Sequence, residues 1–510
     1  MALVEPSEPS AGGRRRLRLR SPATLREMGE IDVQTAEEVR SAVERARKAA
    51  PGWAATSFAD RRQVLERALR HLVHHEQDFV DVIVQETGKP REEVLATEIV
   101  GACDALQFYA KRAKRILADH TVPLHLMKTK RLLISYRPLG VVGIITPWNV
   151  PFLLSLNPTI QALAAGNAVL LKPSETTACS GELVERLLAE TDLPQDVFQL
   201  LRGDGETGAA LVEAGVDKIS FTGSVATGRK VAESCARKLI PCTLELGGKD
   251  PMIVCADADL ERAAGGAVFG AFANSGQVCI STERVYVVEE VADDFTRRVV
   301  EKTSELRQGP EGESDVGAII HGPQLDVIEA HVTDARARGA RVLAGGQRNP
   351  DYRGLYFEPT VLADVDHSMQ VMRDETFGPI LPIMRVRDEE EAIRLANQTR
   401  YGLGGSVWTR DKRRGTEIAK RLGSGGVVVN DCMVTYGLPE APFGGRRESG
   451  IGQVNGETGL RSYCHAQTIV IDRMGTKSEF LWFPYRARKG RLIRRLLKLV
   501  WGTPLGRLLT

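Results

Sequence analysis

The sequence predicts an α/β fold: a doubly wound parallel sheet, a second α/β unit after it, and a small β accessory. Three observations carry this. Apolar runs at 141–145, 168–171, 197–201, 218–221 and 243–246 alternate with helical segments, the rhythm of a parallel sheet covered by helices on both faces. A second series of the same kind follows at 252–255, 284–288, 341–343, 380–385 and 426–430. Two stretches rich in β-formers, 122–136 and 460–471, belong to neither series. With 510 residues, 43% apolar and 26% charged, the chain has ample core for a soluble globular protein and needs neither disulfides nor a metal for stability.

Residues 1–20, which mix Pro, Ser and Gly before reading Arg14-Arg-Arg-Leu-Arg-Leu-Arg20, are expected to form a disordered basic arm. Apolar residues at helical spacing, among them Val64, Leu65, Leu69, Leu72 and Val73, predict amphipathic helices over 36–50 and 60–88, with another over 91–118. No fixed-period repeat interrupts the two βα series. Beyond 476 the chain turns aromatic and basic: Phe480, Trp482, Phe483 and Tyr485 precede a segment with Leu492, Ile493, Leu496, Leu497 and Val500 on one helical face and Arg491, Arg494, Arg495 and Lys498 on the other. Such a helix suits a membrane interface, an anionic one given its charge, the alternative being a helix docked on a partner subunit with its basic face in water. From Thr476 onward there are nine Lys and Arg against one Glu, and in the first twenty residues five Arg against two Glu. A formal net charge of only +2 therefore conceals an acidic body with two basic ends, which argues against a broad nucleic-acid footprint. Met1–Gly13 has no apolar signal core, and no apolar run reaches the roughly 18–20 residues of a membrane span. The expected location is cytoplasmic, with peripheral membrane association through the tail. The eight cysteines form no CxxC pair and no zinc spacing, so a reduced compartment and no metal are expected.

One stretch looks chemical. Residues 274–284 read Asn-Ser-Gly-Gln-Val-Cys279-Ile-Ser-Thr-Glu-Arg, a cysteine in a polar turn between a small-residue run and a β-rich run. A thiol reacts as thiolate, so Cys279 needs a base or a partner that lowers its pKa. Glu245, a lone acid in an apolar run 34 residues earlier, is such a base, because apolar surroundings raise a carboxyl toward neutrality. Gly203-Asp-Gly205-Glu-Thr-Gly208 fits GxGxxG after a strand, but no acid follows about 20 residues on, and it reads equally well as a plain strand-to-helix turn.

Further motifs accompany these: Ile144-Ile-Thr-Pro-Trp148-Asn149-Val-Pro, Lys172-Pro-Ser-Glu175, Phe221-Thr-Gly223-Ser224, Glu375-Thr-Phe377-Gly-Pro379 and Pro442-Phe-Gly-Gly445. In this order and spacing they resemble the NAD(P)-dependent aldehyde dehydrogenase superfamily, from about residue 21 to about residue 472. The resemblance implies a Rossmann-like NAD-binding domain (21–121 and 140–246), a catalytic domain (247–443), an oligomerisation arm (122–139 and 444–475) and, outside it, the tail 476–510. It implies that the pyrophosphate lies at Gly223, Ser224 and Gly228, where a helix N-terminus favours phosphate, with Gly205 near the adenine and Phe221 and Leu246 beside the dinucleotide. Lys172, Ser174 and Glu175 would hold the adenosine ribose, and an acid there favours NAD over NADP. Glu375 and Phe377 would hold the nicotinamide end, with Ile145, Thr146, Pro147 and Trp148 lining the channel.

The chemistry so implied begins with attack by Cys279 to give a thiohemiacetal, whose oxyanion is held by the Asn149 amide and the Cys279 N–H. Hydride transfer then leaves a thioester, which Glu245 hydrolyses through water. Val150, Leu153, Leu154, Val278, Ile280 and Tyr436, with Asn157, Met433 and Val434 nearby, match tunnel positions; they carry no arginine, so an apolar aldehyde, medium to long or aromatic, is expected. The resemblance also implies a homodimer or homotetramer. The tail is similar to that of membrane-associated fatty aldehyde dehydrogenases. Two competing readings are a coenzyme A-acylating relative, disfavoured by Glu245, and a non-catalytic lipid-binding protein on the same fold, disfavoured by the joint presence of Cys279, Glu245 and Asn149.

Overall fold

A computed structural model describes residues 3–8, 13–310 and 314–504. The first correction comes at once. Much of the segment expected to be disordered is a sheet: β1 (Val4–Ser7), β2 (Arg16–Arg20) and β3 (Glu27–Asp32) pair antiparallel in that order. The reason lies in the alternation Arg-Leu-Arg-Leu-Arg, since successive side chains point to opposite faces of a strand. Leu17 and Leu19 are buried with Ile31, Val33 and Ala178, while Arg16 meets Asp32 at 2.9 Å and Arg18 meets Glu30 at 3.3 Å. Residues 1–2 and 9–12 of that expectation lie outside the described residues.

Next come two strands of a later sheet, β4 (His120–Val122) and β5 (Lys130–Pro138), and then the first βα series: β6 (Val141–Ile145), β7 (Ala168–Lys172), β8 (Phe198–Leu200), β9 (Lys218–Thr222) and β10 (Cys242–Glu245). The second series supplies β11 (Asp250–Val254), β12 (Thr282–Val288), β13 (Arg341–Ala344), β14 (Thr360–Ala363), β15 (Ile380–Val386), β16 (Ser406–Trp408) and β17 (Val428–Val429), followed by β18 (Gly450–Ile451) and β19 (Cys464–Asp472). The first series forms a sheet ordered β18-β10-β9-β6-β7-β8, parallel except for β18. The second forms β13-β14-β15-β12-β11-β16-β17, parallel except for β13. All residues of β6, β7, β11 and β12 are buried, as expected of parallel strands covered on both faces. The two β-rich stretches left over join as an antiparallel sheet β19-β5-β4, with Cys464 opposite Pro138 and Asp472 opposite Lys130.

Two helices position the site. Pro151–Ala164 starts just after the end of β6 and is buried along its whole length inside the core, its polar Ser155, Asn157, Thr159 and Gln161 hydrogen-bonded there. The long helix expected over 91–118 is broken by a π-turn at Leu95–Ile99. At the far end, the helix Ala487–Gly502 buries none of its residues; residues 505–510 of the tail lie outside the described residues.

Candidate active site

The loop before β12 carries Cys279. Asn274, Ser275 and Gly276 take successive φ values of 51, 54 and 71°, a left-handed run that costs of order 1–3 kcal/mol at each non-glycine residue. Side chains hold it there. Asn274 Nδ2 donates to Asn149 O at 2.8 Å, Ser275 Oγ to Gly317 O at 2.9 Å, and Gln277 Oε1 accepts from Ile320 N at 2.8 Å. A Cβ on Gly276 would lie 2.2 Å from Gly378 O, so only glycine fits. The loop delivers Cys279, half-buried, against a cluster made of Ile280, Leu403, Phe443 and Val454, joined by Val278, Met433 and Tyr436. Burial and the nearby carboxylates of Asp250, Glu375 and Glu245 push its thiol up, so it keeps its proton at neutral pH.

Glu245 ends β10 and is 5% exposed. Neither of its carboxylate oxygens meets a protein donor, and burial alone pushes its pKa well above the usual carboxylate range. Asn149, 3% exposed, donates one amide N–H to Gln277 O at 2.9 Å, two residues before Cys279. Its amide has a second N–H. The thiol, the acid and the amide singled out in the sequence thus converge from three separate segments.

The dinucleotide expectations fall at the carboxyl ends of the first sheet's strands, where ligands bind in such folds. Thr146 N donates to Lys172 O at 3.1 Å, and Lys172 Nζ meets Glu175 at 3.0 Å. Ser174 caps the turn after β7 through Thr176 N. Gly205 opens the helix Gly205–Glu213 with nothing within 4 Å of a Cβ added there, so a flat group can lie against the backbone. Ser224 caps the helix Val225–Lys238 by accepting from Thr227 N at 3.3 Å, one of the four free first-turn donors. Gly228 is buried, and its lack of a side chain serves close packing: a Cβ there would lie 2.5 Å from Leu246. Phe221 is likewise pressed on Gly223, where a Cβ would sit 2.6 Å from its ring. The donor set and the bare backbone at Gly205 fit a dinucleotide.

Glu375 accepts from Gly248 N at 2.8 Å, and burial together with the Glu283 charge raises its pKa to about 8. Phe377 has φ 48° and meets Trp148 edge-on with ring centres 5.4 Å apart, while Trp148 stacks on His321. Among the expected tunnel residues, Val278, Ile280 and Tyr436 belong to or border the thiol cluster, while Val150 packs against the helical core, which Tyr436 also touches. Leu154 is buried. Leu153 instead packs into the helical core, where a Cβ on Gly101 would lie 2.9 Å from it, and Val434 is exposed.

Sequence reasoning missed the supports. Glu98, in the π-turn, is wholly buried; it pairs with Lys89 at 2.7 Å and accepts from Phe152 N and Leu153 N at 2.8 and 3.3 Å, capping the helix that follows Asn149. Glu283 pairs with buried Lys249 and accepts from Thr376 N and Phe377 N, fixing the Glu375–Phe377 segment. The signal that flagged Glu245, an acid alone in an apolar run, was present at Glu98 as well.

A parallel sheet with bare backbone and helix N-termini at its carboxyl edge, joined to a second sheet bearing a thiol loop, defines an α/β enzyme with a thiol at its candidate site. This chain belongs to the aldehyde dehydrogenase family, whose profile matches residues 9–469. It is 40% identical over 484 residues to a 4,4'-diapolycopene aldehyde oxidase of Methylomonas, covering 94% of this chain and 91% of that one. It is 42% identical over 457 residues, 88% of either chain, to a Mycolicibacterium smegmatis protein with the provisional name succinate-semialdehyde dehydrogenase (NADP(+)). Among solved structures, Mycobacterium tuberculosis aldehyde dehydrogenase complexed with NAD+ superposes with a TM-score of 0.87 at 33% identity, over 92% of this chain and 97% of that one.

Proposed function

We propose that this chain oxidises an apolar aldehyde to its carboxylic acid with NAD(P), through a thioester on Cys279. The observation that carries the reading is the buried, partnerless carboxyl of Glu245 close to a thiol set among apolar side chains. Glu245, in its ionised form, takes the Cys279 proton and passes it to solvent, and the sulfur bonds the carbonyl carbon; the second Asn149 N–H and the Cys279 N–H stabilise the oxyanion. When bound, NAD(P) supplies the two-electron acceptor for the aldehyde C–H. Lys172, Ser174 and Glu175 hold its adenosine end, the 223–228 turn its phosphates, and Glu375 and Phe377 its nicotinamide end. The Lys172–Glu175 pair supports NAD, because an acid at that point repels a 2′-phosphate. Glu245 then removes a proton from water, which opens the thioester and frees the acid; an acyl group handed to coenzyme A would have no use for that base.

The apolar reading draws support from the lining around Cys279, which offers no cation to a substrate carboxylate. The semialdehyde relative speaks for the opposite class, so a rate series decides. NADH formation should rise from acetaldehyde to decanal, exceed that with succinate semialdehyde, and vanish in Cys279→Ala. A preference for the semialdehyde would overturn the apolar assignment, and dependence on coenzyme A would overturn the role of Glu245.

A second reading concerns the tail. The helix Ala487–Gly502 leaves Leu492, Leu496 and Leu497 exposed beside Arg491, Arg494, Arg495 and Lys498, and buries nothing on the body. No described helix is long and apolar enough to cross a membrane. We infer that this helix lies flat on an anionic lipid surface. The β19-β5-β4 sheet is the element we assign to subunit assembly, as a dimer or tetramer.

A further inference from the structure

Two acids five residues apart, Glu93 and Glu98, stand at the π-turn Leu95–Ile99. In a regular α-helix such residues diverge by about 140° around the axis. Here the bond from Val100 N to Leu95 O spans five residues and widens the turn by one, which brings residues at this spacing toward one face. Both acids accordingly lie against Lys89, which pairs with Glu98 at 2.7 Å and whose charge also bears on Glu93. Glu98 holds the chain that follows Asn149, at Phe152 N and Leu153 N. Glu93 reaches the other side of that amide. One of its carboxylate oxygens accepts from Asn274 N, at the first left-handed residue of the thiol loop, and the other is buried and meets no donor. Burial raises its pKa to about 7, with the Lys89 charge and the Asn274 N–H opposing the rise. The Asn274 side chain in turn donates to Asn149 O at 2.8 Å and to Gln277 O at 3.2 Å, and Gln277 O is also the acceptor for the Asn149 amide at 2.9 Å. Through Asn274, Glu93 thus bears on the Asn149 carbonyl and on the atom that orients the Asn149 side chain.

We propose that Glu93 is a positioning residue for thioester formation: its carboxylate pins Asn274, and Asn274 aims the second Asn149 N–H at the carbonyl oxygen of the aldehyde. The inference rests on the oxyanion role proposed above for Asn149. Glu93 touches neither the thiol nor the substrate and acts through two hydrogen bonds. A carboxylate suits the task, because an ionised acceptor binds an N–H about twice as strongly as a neutral one and so holds a strained turn that Ser275 and Gln277 alone anchor only further along.

The test compares two rates in the intact protein, above the raised Glu93 pKa of about 7. One is single-turnover NADH formation from decanal, which needs the oxyanion donors; the other is alkylation of Cys279 by iodoacetamide, which needs only the thiol. Glu93→Gln keeps the shape and one acceptor oxygen but loses the charge. It should slow NADH formation about tenfold, the size of one charge-assisted bond, while alkylation and the KM for NAD stay within about twofold and the melting temperature does not fall. The shorter Glu93→Asp, which cannot reach Asn274 N, should slow NADH formation at least as much. Introduced into Asn149→Ala, Glu93→Gln should cost nothing further, since both act on one amide. NADH formation unchanged in Glu93→Gln, alkylation slowed as much as NADH formation, or losses that multiply in the double variant would overturn the proposal. A wild-type protein that forms no NADH from any aldehyde would sink the proposed reaction itself, and this inference with it.

Discussion

A carboxyl that meets no donor and no cation, as Glu245 does, is protonated more readily in the fold than in the unfolded chain. Its folded state therefore binds more protons than its unfolded state, and stability falls as pH rises above the ordinary carboxylate pKa of 4.5. Glu375 and Asp250, each raised to about 8 by burial, act in the same direction over the range up to about 8. Glu245→Gln should thus gain in melting temperature relative to wild type as pH rises above 4.5, while turnover falls by about a hundred- to ten-thousandfold with an acyl-enzyme burst. A stability gap that stays constant with pH would mean that Glu245 is ionised in the fold. On the proposed mechanism, activity would rest on a group that the fold would hold more comfortably as an amide.

At the scale of elements, the helix Pro151–Ala164 depends on the π-turn that caps it. Glu98→Ala would strip Lys89, 3% exposed, of its only ion-pair partner among the described residues and uncap the helix next to Asn149. A loss of about 3–5 kcal/mol is expected, read by denaturant unfolding. Lys89→Met added to Glu98→Leu should recover part of it, since a packed apolar pair carries no buried charge. The same elements mark what could be read from the sequence. β6 falls at the expected residues and most other strands of the two series differ by only a residue or two, because continuous apolar runs are unambiguous in a parallel sheet. β14, β16 and β18 went unseen; each has four residues or fewer, too short for a period. β2 was legible in its strict alternation and was missed because Arg-rich composition outweighed pattern. In the site, Cys279, Glu245 and Asn149 stood out through motifs. Their supports did not, because Asn274 and Asn149 are 125 residues apart and Glu98 reaches 54 residues to Phe152, pairings that only tertiary structure creates.

For the whole molecule, the lipid-surface reading proposed for the basic, unburied tail would separate anchoring from catalysis. Removing 476–510 should abolish co-sedimentation with phosphatidylserine vesicles, each basic side chain near such a surface adding about 1 kcal/mol, while acetaldehyde turnover per site is kept. Vesicle binding by the truncated chain would show that another face holds lipid. A different dependence runs along the chain. Glu245 lies opposite Gly450 in the β10–β18 pair, Leu246 N is held by Ser449 O at 3.0 Å, and a Cβ on Gly450 would lie 2.3 Å from Leu244 O. A ribosome that has delivered residues 1–443 has therefore made Cys279, Glu245 and Asn149, yet β10 is still an open edge, able to pair with another nascent chain. The strand that closes it arrives some 200 residues after Glu245 itself, so the interval between their synthesis is when this protein most needs a chaperone.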